Sequence, residues 1–295
     1  MTPDGVEIAF RDYGGHGPDV VLLPGIGANL EAEHETALSL SDRWRIVTLD
    51  PRGCGQSGES ETIDAADLLV DVETVVCTLN LRPAGVVGHS MGGVIAGLYG
   101  TAHPGVPIVS VDGYGGGVAD AGTVEDHRAL QSFMAGARIS LNAMTAAPDE
   151  GDDAWRADQT RTIHQMLDAM GYLTAHREAM VARQFVPLAD GRWRRHPSRK
   201  LIDGAERAAF GVDPPANILQ MFRSCTAPVL ILRCTRSDWP PVLDAELDDF
   251  AATHPNVEVR RLPLTHTGPV SDGVAMTVAE ISTFLSHQVA TAFSA

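Results

Sequence analysis

Positive charge is scarce in this chain, and lysine is almost missing: Lys200 is the only one in 295 residues, so the 22 basic side chains are otherwise arginines. Against 38 acidic residues this leaves a formal charge of −16. Nucleic acids and anionic membranes are held by clustered cations that displace counterions. The nearest thing to a cluster is Arg192-Trp193-Arg194-Arg195, so neither partner is expected; the run reads as a solvated charged stretch or, alternatively, as a contact for an acidic substrate. Long apolar runs are also missing. None approaches the roughly 18 residues that a membrane span requires. The opening Met1-Thr2-Pro3-Asp4-Gly5 has neither the basic nor the apolar region of a secretory signal, and the cytoplasm is the expected compartment. The four cysteines, Cys54, Cys77, Cys225 and Cys234, show no C-x-x-C spacing. Free thiols are therefore expected rather than disulfides or a zinc site, with Cys54 read as merely exposed.

What is present is an ordinary globular composition, 44% hydrophobic and 20% charged, in a chain long enough to bury a substantial core. Apolar runs of strand length recur at Val20-Val21-Leu22-Leu23, Arg45 to Leu49, Val86-Val87, Pro107 to Val111 and Val229 to Leu232, with a more polar one at Val257 to Leu262. Val6 to Tyr13 reads as a first strand. Continuous apolar runs suit strands buried on both faces. Between them lie stretches of helical spacing: Leu30 to Leu40, Ala65 to Leu79, Gly93 to Ala102, Val242 to Thr253 and Val274 to Gln288. In Ala65 to Leu79, Leu68, Leu69, Val72, Val75, Val76 and Leu79 make one face fit to cover a sheet. This βαβα alternation predicts an α/β fold with a mostly parallel, doubly wound sheet, because parallel strands need such crossovers. From Gly113 to Ser224 the rhythm stops. Polar breaks at Pro148 to Asp153 and Gly211 to Pro215 divide what reads as a mainly helical lid over residues 113–224, inserted into a core of residues 1–112 and 225–295.

Gly88-His89-Ser90-Met91-Gly92 follows the run Ala84 to Val87 and precedes a helical run. This is the setting of a nucleophile elbow. At a sharp strand-to-helix turn the serine backbone is strained and its neighbours must carry little bulk, so glycine fits at positions 88 and 92.

At this point the sequence resembles the α/β-hydrolase superfamily. The matching pieces are Leu22-Leu23-Pro24-Gly25-Ile26-Gly27, Asp50-Pro51-Arg52-Gly53-Cys54-Gly55-Gln56-Ser57 and Gly88 to Gly93, and the likeness covers nearly the whole chain outside the lid. That family's chain order is nucleophile, acid, histidine. It implies Ser90 as nucleophile, Asp238 after the late strand Pro228 to Cys234 as acid, and His266 after the last strand as base. Asp112, ending Ile108 to Val111, is the other strand-end carboxylate, and some members carry the acid there. The resemblance also implies an oxyanion hole made by the backbone N–H groups of Ile26 and Met91. Three departures stand out: Pro24-Gly25 replaces the usual His-Gly, Thr265 stands where glycine often precedes the histidine, and Cys234 where glycine often opens the acid loop.

The function expected is a serine hydrolase of a carboxylic ester or lactone, using no metal or organic cofactor, on an apolar or aromatic small molecule. C–C bond hydrolysis, acyl transfer and a non-catalytic ligand-binding role stay open on the same scaffold. A nucleotide site at Gly25-Ile26-Gly27 is a weaker reading, because Leu30 occupies the third glycine position of the dinucleotide fingerprint. In the lid, Met166, Met170 and Leu173 recur at helical spacing, with Met134, Met144 and Met180 nearby; they either line an adaptable pocket or pack the lid onto the core. Trp155, Trp193 and Trp239 are further candidates for the pocket.

Overall fold

The computed structural model describes residues 1–113, 124–145, 148–172, 174–210 and 218–292; the expected break at Gly211 to Pro215 and the spacing member Leu173 lie outside them. The chain opens with β1 (Phe10–Gly14) and β2 (Asp19–Leu23), passes through α1 (His34–Leu40) and returns as β3 (Arg45–Leu49). Then α2 (Ala65–Thr78), β4 (Pro83–His89), α3 (Met91–Ala102) and β5 (Ile108–Val111) continue the alternation. An inserted stretch follows, with α4 (Val124–Met144), β6 (Glu150–Gly151), α5 (Asp153–Ala169), α6 (Arg177–Ala182), β7 (Phe185–Pro187), β8 (Trp193–Arg195), α7 (Arg199–Phe210) and α8 (Ile218–Arg223). The rhythm resumes with β9 (Val229–Cys234), α9 (Pro241–Thr253), β10 (Val257–Leu262) and α10 (Val274–Ala292).

Seven strands form one sheet in the order β1-β3-β2-β4-β5-β9-β10. Every pairing is parallel except β1 with β3 at one edge. Because strand side chains alternate between faces, the sheet divides its apolar residues into two cores. Val21, Val47, Val86, Ile108 and Ile231 face α2, α3 and α9, whereas Val20, Ile46, Val87, Val109 and Leu230 face α1 and α10. In α8, Leu219 and Phe222 join the first of these cores.

The expected first strand is shorter and begins later. Val6 and Ile8 are buried but outside the ladder, because the Glu7 and Ala9 carbonyls accept from Gly58 and Asp50 in the loop after β3. The expected helix from Leu30 starts as a 3-10 turn over Leu30–Glu33, capped by the Asn29 side chain on the Glu31 amide. The insertion is not purely helical: β6, β8 and β7 make a small three-stranded sheet. With two or three residues each, these strands carry no readable alternation.

That insertion is tied to the loops at the carboxyl ends of β2 and β3. Asn29 Nδ2 donates to the Met180 carbonyl at 2.8 Å, Gln184 Nε2 to that of Gly27 at 3.1 Å and Gln56 Nε2 to that of Arg183 at 2.9 Å. Buried Asp50 organises the region, accepting from the Leu30 and Gln56 amides and from Arg183 Nε. Arg52, fully buried, pairs with buried Asp71 and reaches Asp4. Cys54, expected at the surface, is instead buried, 1% exposed; desolvation pushes its thiol up, so it is not a thiolate nucleophile. The other cysteines are likewise free thiols.

Candidate active site

Ser90 sits directly between β4 and α3 with φ 55° and ψ −120°, a backbone region that non-glycine residues occupy only when the surroundings force it. The surroundings do so by contact. A Cβ at Gly88 would fall on the Gly92 carbonyl, and one at Gly92 on the Leu23 carbonyl. The turn therefore closes only with glycine at both positions, and it holds Ser90 above the strand end.

His266 lies in the loop after β10. Its Nε2 is 3.0 Å from Ser90 Oγ and its Nδ1 is 2.8 Å from Asp112 Oδ2. Asp112, fully buried, also accepts from the Cys234 amide at Oδ1 (2.9 Å) and from Trp239 Nε1 at Oδ2 (3.0 Å). Burial alone would raise this carboxyl, but the hydrogen bond and charge of His266, with the Cys234 and Trp239 donors, outweigh it and hold Asp112 below its ordinary value. An ionised Asp112 only accepts, so His266 carries its proton on Nδ1 and presents a free Nε2 to the serine hydroxyl.

The acid expected at Asp238 is therefore corrected: the carboxylate that meets His266 is Asp112. Sheet order gives the reason. Strand β5 is the direct neighbour of β4, and the Ser90 amide bonds the Val111 carbonyl at 2.9 Å, so the residue after Val111 stands beside the nucleophile. Strand β9 is one position further out. Its following loop contributes donors, the Cys234 amide and the Trp239 indole, while Asp238 is exposed to solvent. Like Ser90, Asp112 has a positive φ, 50°.

His89 was not expected to take part in the site, yet it braces it. Its Nε2 is 2.7 Å from the His266 carbonyl oxygen; that oxygen can only accept, so Nε2 carries the proton. Burial, and then the proximity of His266, push His89 down to about 4, which keeps it neutral.

Of the expected oxyanion donors, Met91 is the first residue of α3, where backbone N–H groups have no intrahelical acceptor. The loop carrying Ile26 passes against the elbow, since a Cβ on Gly25 would lie 3.2 Å from Ser90 Cβ. Both Ile26 and Met91 are partly exposed. A cavity of about 100 Å³ opens against Ile26 and Gly27 and is walled by Met144, Met166, Met170 and Met180 from the insertion. Met134 is not in that wall. Trp239 lies beside His266, its ring centroid 6.4 Å away, whereas Trp155 packs on Phe185 and Trp193 lies under the Arg156 guanidinium.

Glu31, His34 and His176 bring potential metal-ligating atoms within 4.8 Å of one another. Arg11, however, holds both Glu31 oxygens, and Tyr13 Oη lies 2.9 Å from His34 Nδ1. The cluster is a neutralised polar network rather than an open cation site.

A family model described as alpha/beta hydrolase fold matches residues 18–109. The chain is similar to the AB hydrolase superfamily protein YisY of Bacillus subtilis, 35% identical over 109 residues, covering 36% of this chain and 40% of that protein. It is also similar to (E)-2-((N-methylformamido)methylene)succinate hydrolase of Acinetobacter baylyi, 33% identical over 85 residues, covering 28% and 31%. The chain thus spans about a third of the length of the curated relatives it matches. Among solved structures, E-2-(acetamidomethylene)succinate hydrolase superposes with a TM-score of 0.71 at 22% identity, covering 95% of this chain and 96% of that one.

Proposed function

We propose that this chain, which belongs to the α/β-hydrolase fold superfamily, is a serine hydrolase that cleaves a carboxylic ester or lactone through an acyl-enzyme on Ser90. The observation that carries the reading is the hydrogen-bonded line Ser90 Oγ, His266 Nε2, His266 Nδ1, Asp112 Oδ2, with spacings of 3.0 and 2.8 Å. A serine hydroxyl is a poor nucleophile at neutral pH. His266 takes its proton as Oγ attacks the carbonyl carbon, then returns a proton to the leaving alcohol. Asp112 keeps the imidazole in the tautomer whose Nε2 is free, and its negative charge stabilises the imidazolium that forms. The oxyanion of the tetrahedral intermediate is met by the Met91 and Ile26 amides. Water, activated by His266 in the same way, then releases the acid and regenerates Ser90.

The names of the relatives are in keeping with hydrolysis, since two of them are hydrolases of substituted succinates. The methionine wall beside Ile26 supports a small apolar acyl or alcohol group, because flexible thioethers adapt to irregular apolar shapes.

A fluorophosphonate is expected to label the protein at one serine, Ser90, with Ser90→Ala unlabelled, and p-nitrophenyl acyl esters are expected to turn over repeatedly. Absence of labelling overturns the reading. Labelling with no turnover across a broad ester panel overturns it in favour of a binding protein.

A further inference from the structure

Three arginines are almost completely withdrawn from solvent: Arg52 (0% exposed), Arg233 (2%) and Arg195 (6%). Two of them follow the ordinary rule that a buried charge is paired. Arg52 meets Asp71 and Asp4, and Arg233 meets Asp244 and Asp112. Arg195 does not. Its guanidinium donates to the Gln159 side-chain carbonyl and to the Met144 backbone carbonyl, both neutral, and none of the ion pairs among the described residues uses it. Its neighbours in sequence differ, Arg194 on β8 and Arg192 just before it both binding Glu150 at the surface. Desolvation holds the Arg195 guanidinium below its ordinary value, and the charge of Asp149, which forms no ion pair with it, offsets this only in part.

The place of this cation, which has no carboxylate in contact, is informative. Arg195 lines the same cavity as Ile26, Met144 and Met166, and the carbonyl it grips belongs to Met144, whose sulfur would lie 2.9 Å from a Cβ on Gly27. Apart from Arg195 the polar residues lining the cavity are Thr162, Tyr172 and Gln184. Gln184 is occupied with the Gly27 carbonyl, and Thr162 and Tyr172 are neutral hydroxyls that cannot balance a cation. A guanidinium has five N–H donors in a fork matched to a carboxylate, and three remain after these two bonds. Leaving a cation in an apolar wall is costly unless something anionic completes it.

We infer that Arg195 is a specificity residue that binds a carboxylate carried by the substrate, so that the preferred ester or lactone is a small apolar molecule with one free carboxylate remote from the scissile bond. This rests on the proposed hydrolase reading for the word substrate, but not for the anion site itself. The carboxylate inserts between the Arg195 donors and the methionine wall while the acyl carbon lies past Ile26, whose loop passes against Ser90. Such a cavity rejects the uncharged analogue because the guanidinium would stay unpaired.

The binding test uses glutarate as the probe on the Ser90→Ala protein, followed by calorimetry at neutral pH. Glutarate is expected to bind, glutaramide to bind at least tenfold more weakly, and Gln159→Glu to remove the difference, because an internal carboxylate then neutralises Arg195 without emptying the site. Arg195→Gln is expected to do the same. The kinetic test compares the mono-p-nitrophenyl ester of adipate with its methyl ester. Wild-type kcat/KM is expected to favour the free carboxylate at least tenfold, and the ratio to fall to about one in either variant. Equal binding of glutarate and glutaramide, or a carboxylate preference that survives Gln159→Glu, overturns the inference. Failed fluorophosphonate labelling would remove the hydrolase reading yet leave the glutarate result to decide the anion site.

Discussion

Asp112→Asn lowers kcat by about four orders of magnitude, about 5.5 kcal/mol of transition-state stabilisation, while Asp238→Asn leaves it within about threefold. The asymmetry follows from what surrounds each carboxylate. Asp112 is fully buried, and both its oxygens accept: Oδ1 from the Cys234 amide, Oδ2 from Trp239 Nε1 and His266 Nδ1. An asparagine must turn its NH₂ toward one side or the other. Turned toward His266 it donates to Nδ1, which moves the imidazole proton to Nε2 and removes the base that Ser90 needs. Turned toward Cys234 it opposes a backbone N–H, disturbs the loop after β9 and leaves the imidazolium without a counter-charge. Both orientations disable the same step. Asp238 is solvent-exposed, so its neutralisation touches neither the tautomer nor the charge of His266. Steady-state kinetics on an activated ester check this, with circular dichroism to verify that Asp112→Asn is folded. Equal losses in the two variants, or retention of a tenth of wild-type activity by Asp112→Asn, would refute the assignment.

This pair of residues also marks the limit of what the sequence could tell. The elbow was legible because its requirement is steric: only glycine leaves room at positions 88 and 92, and that demand is written in the residue types. The position of His266 was legible because it follows the last strand, whatever path the insertion takes. The acid was not, since both β5 and β9 are followed by an aspartate and the choice depends on which strand lies beside β4. Neither the order of strands in the sheet nor the positive φ of Asp112 is encoded in local periodicity. The methionines behave similarly. Met166 and Met170 are spaced to share a helix face, but the meeting of that face with Met144, Met180 and Ile26 is a tertiary fact. Arg195 was hidden for a related reason: its two arginine neighbours are surface residues, and only the two- and three-residue strands of the small sheet turn it inward.

Glu33→Gln abolishes most of a loss of stability that the wild-type protein suffers as pH rises from about 4.5 to about 8. Glu33 ends the 3-10 turn before α1, is 4% exposed, and has an oxygen, Oε1, without a hydrogen-bond partner. Burial pushes its carboxyl up from 4.5 to about 8, so the folded protein keeps Glu33 protonated at neutral pH. Its neighbours cannot share a charge. Tyr172, itself buried and with an unpartnered hydroxyl, is pushed up first by burial and then by Glu33 and Glu35. The unfolded chain releases the Glu33 proton near 4.5. Between those two values the folded state binds more protons than the unfolded state, so stability falls as pH rises. The contribution is fully present below 4.5 and is lost through about 8, amounting to about 3–5 kcal/mol at 1.36 kcal/mol per unit. His89 works with the opposite sign in a more acidic window: pushed down to about 4, it contributes stability above its ordinary value of 6.5 that is lost as pH falls toward 4. Glutamine copies the protonated carboxyl in shape and cannot ionise. At pH 5 the two proteins should therefore melt within a degree or two of each other, whereas at pH 9 Glu33→Gln should melt roughly 10 °C higher. Thermal unfolding across that range decides the matter, and parallel curves for wild type and Glu33→Gln would mean that Glu33 is ionised in the folded protein and that solvent or a neighbouring donor reaches it.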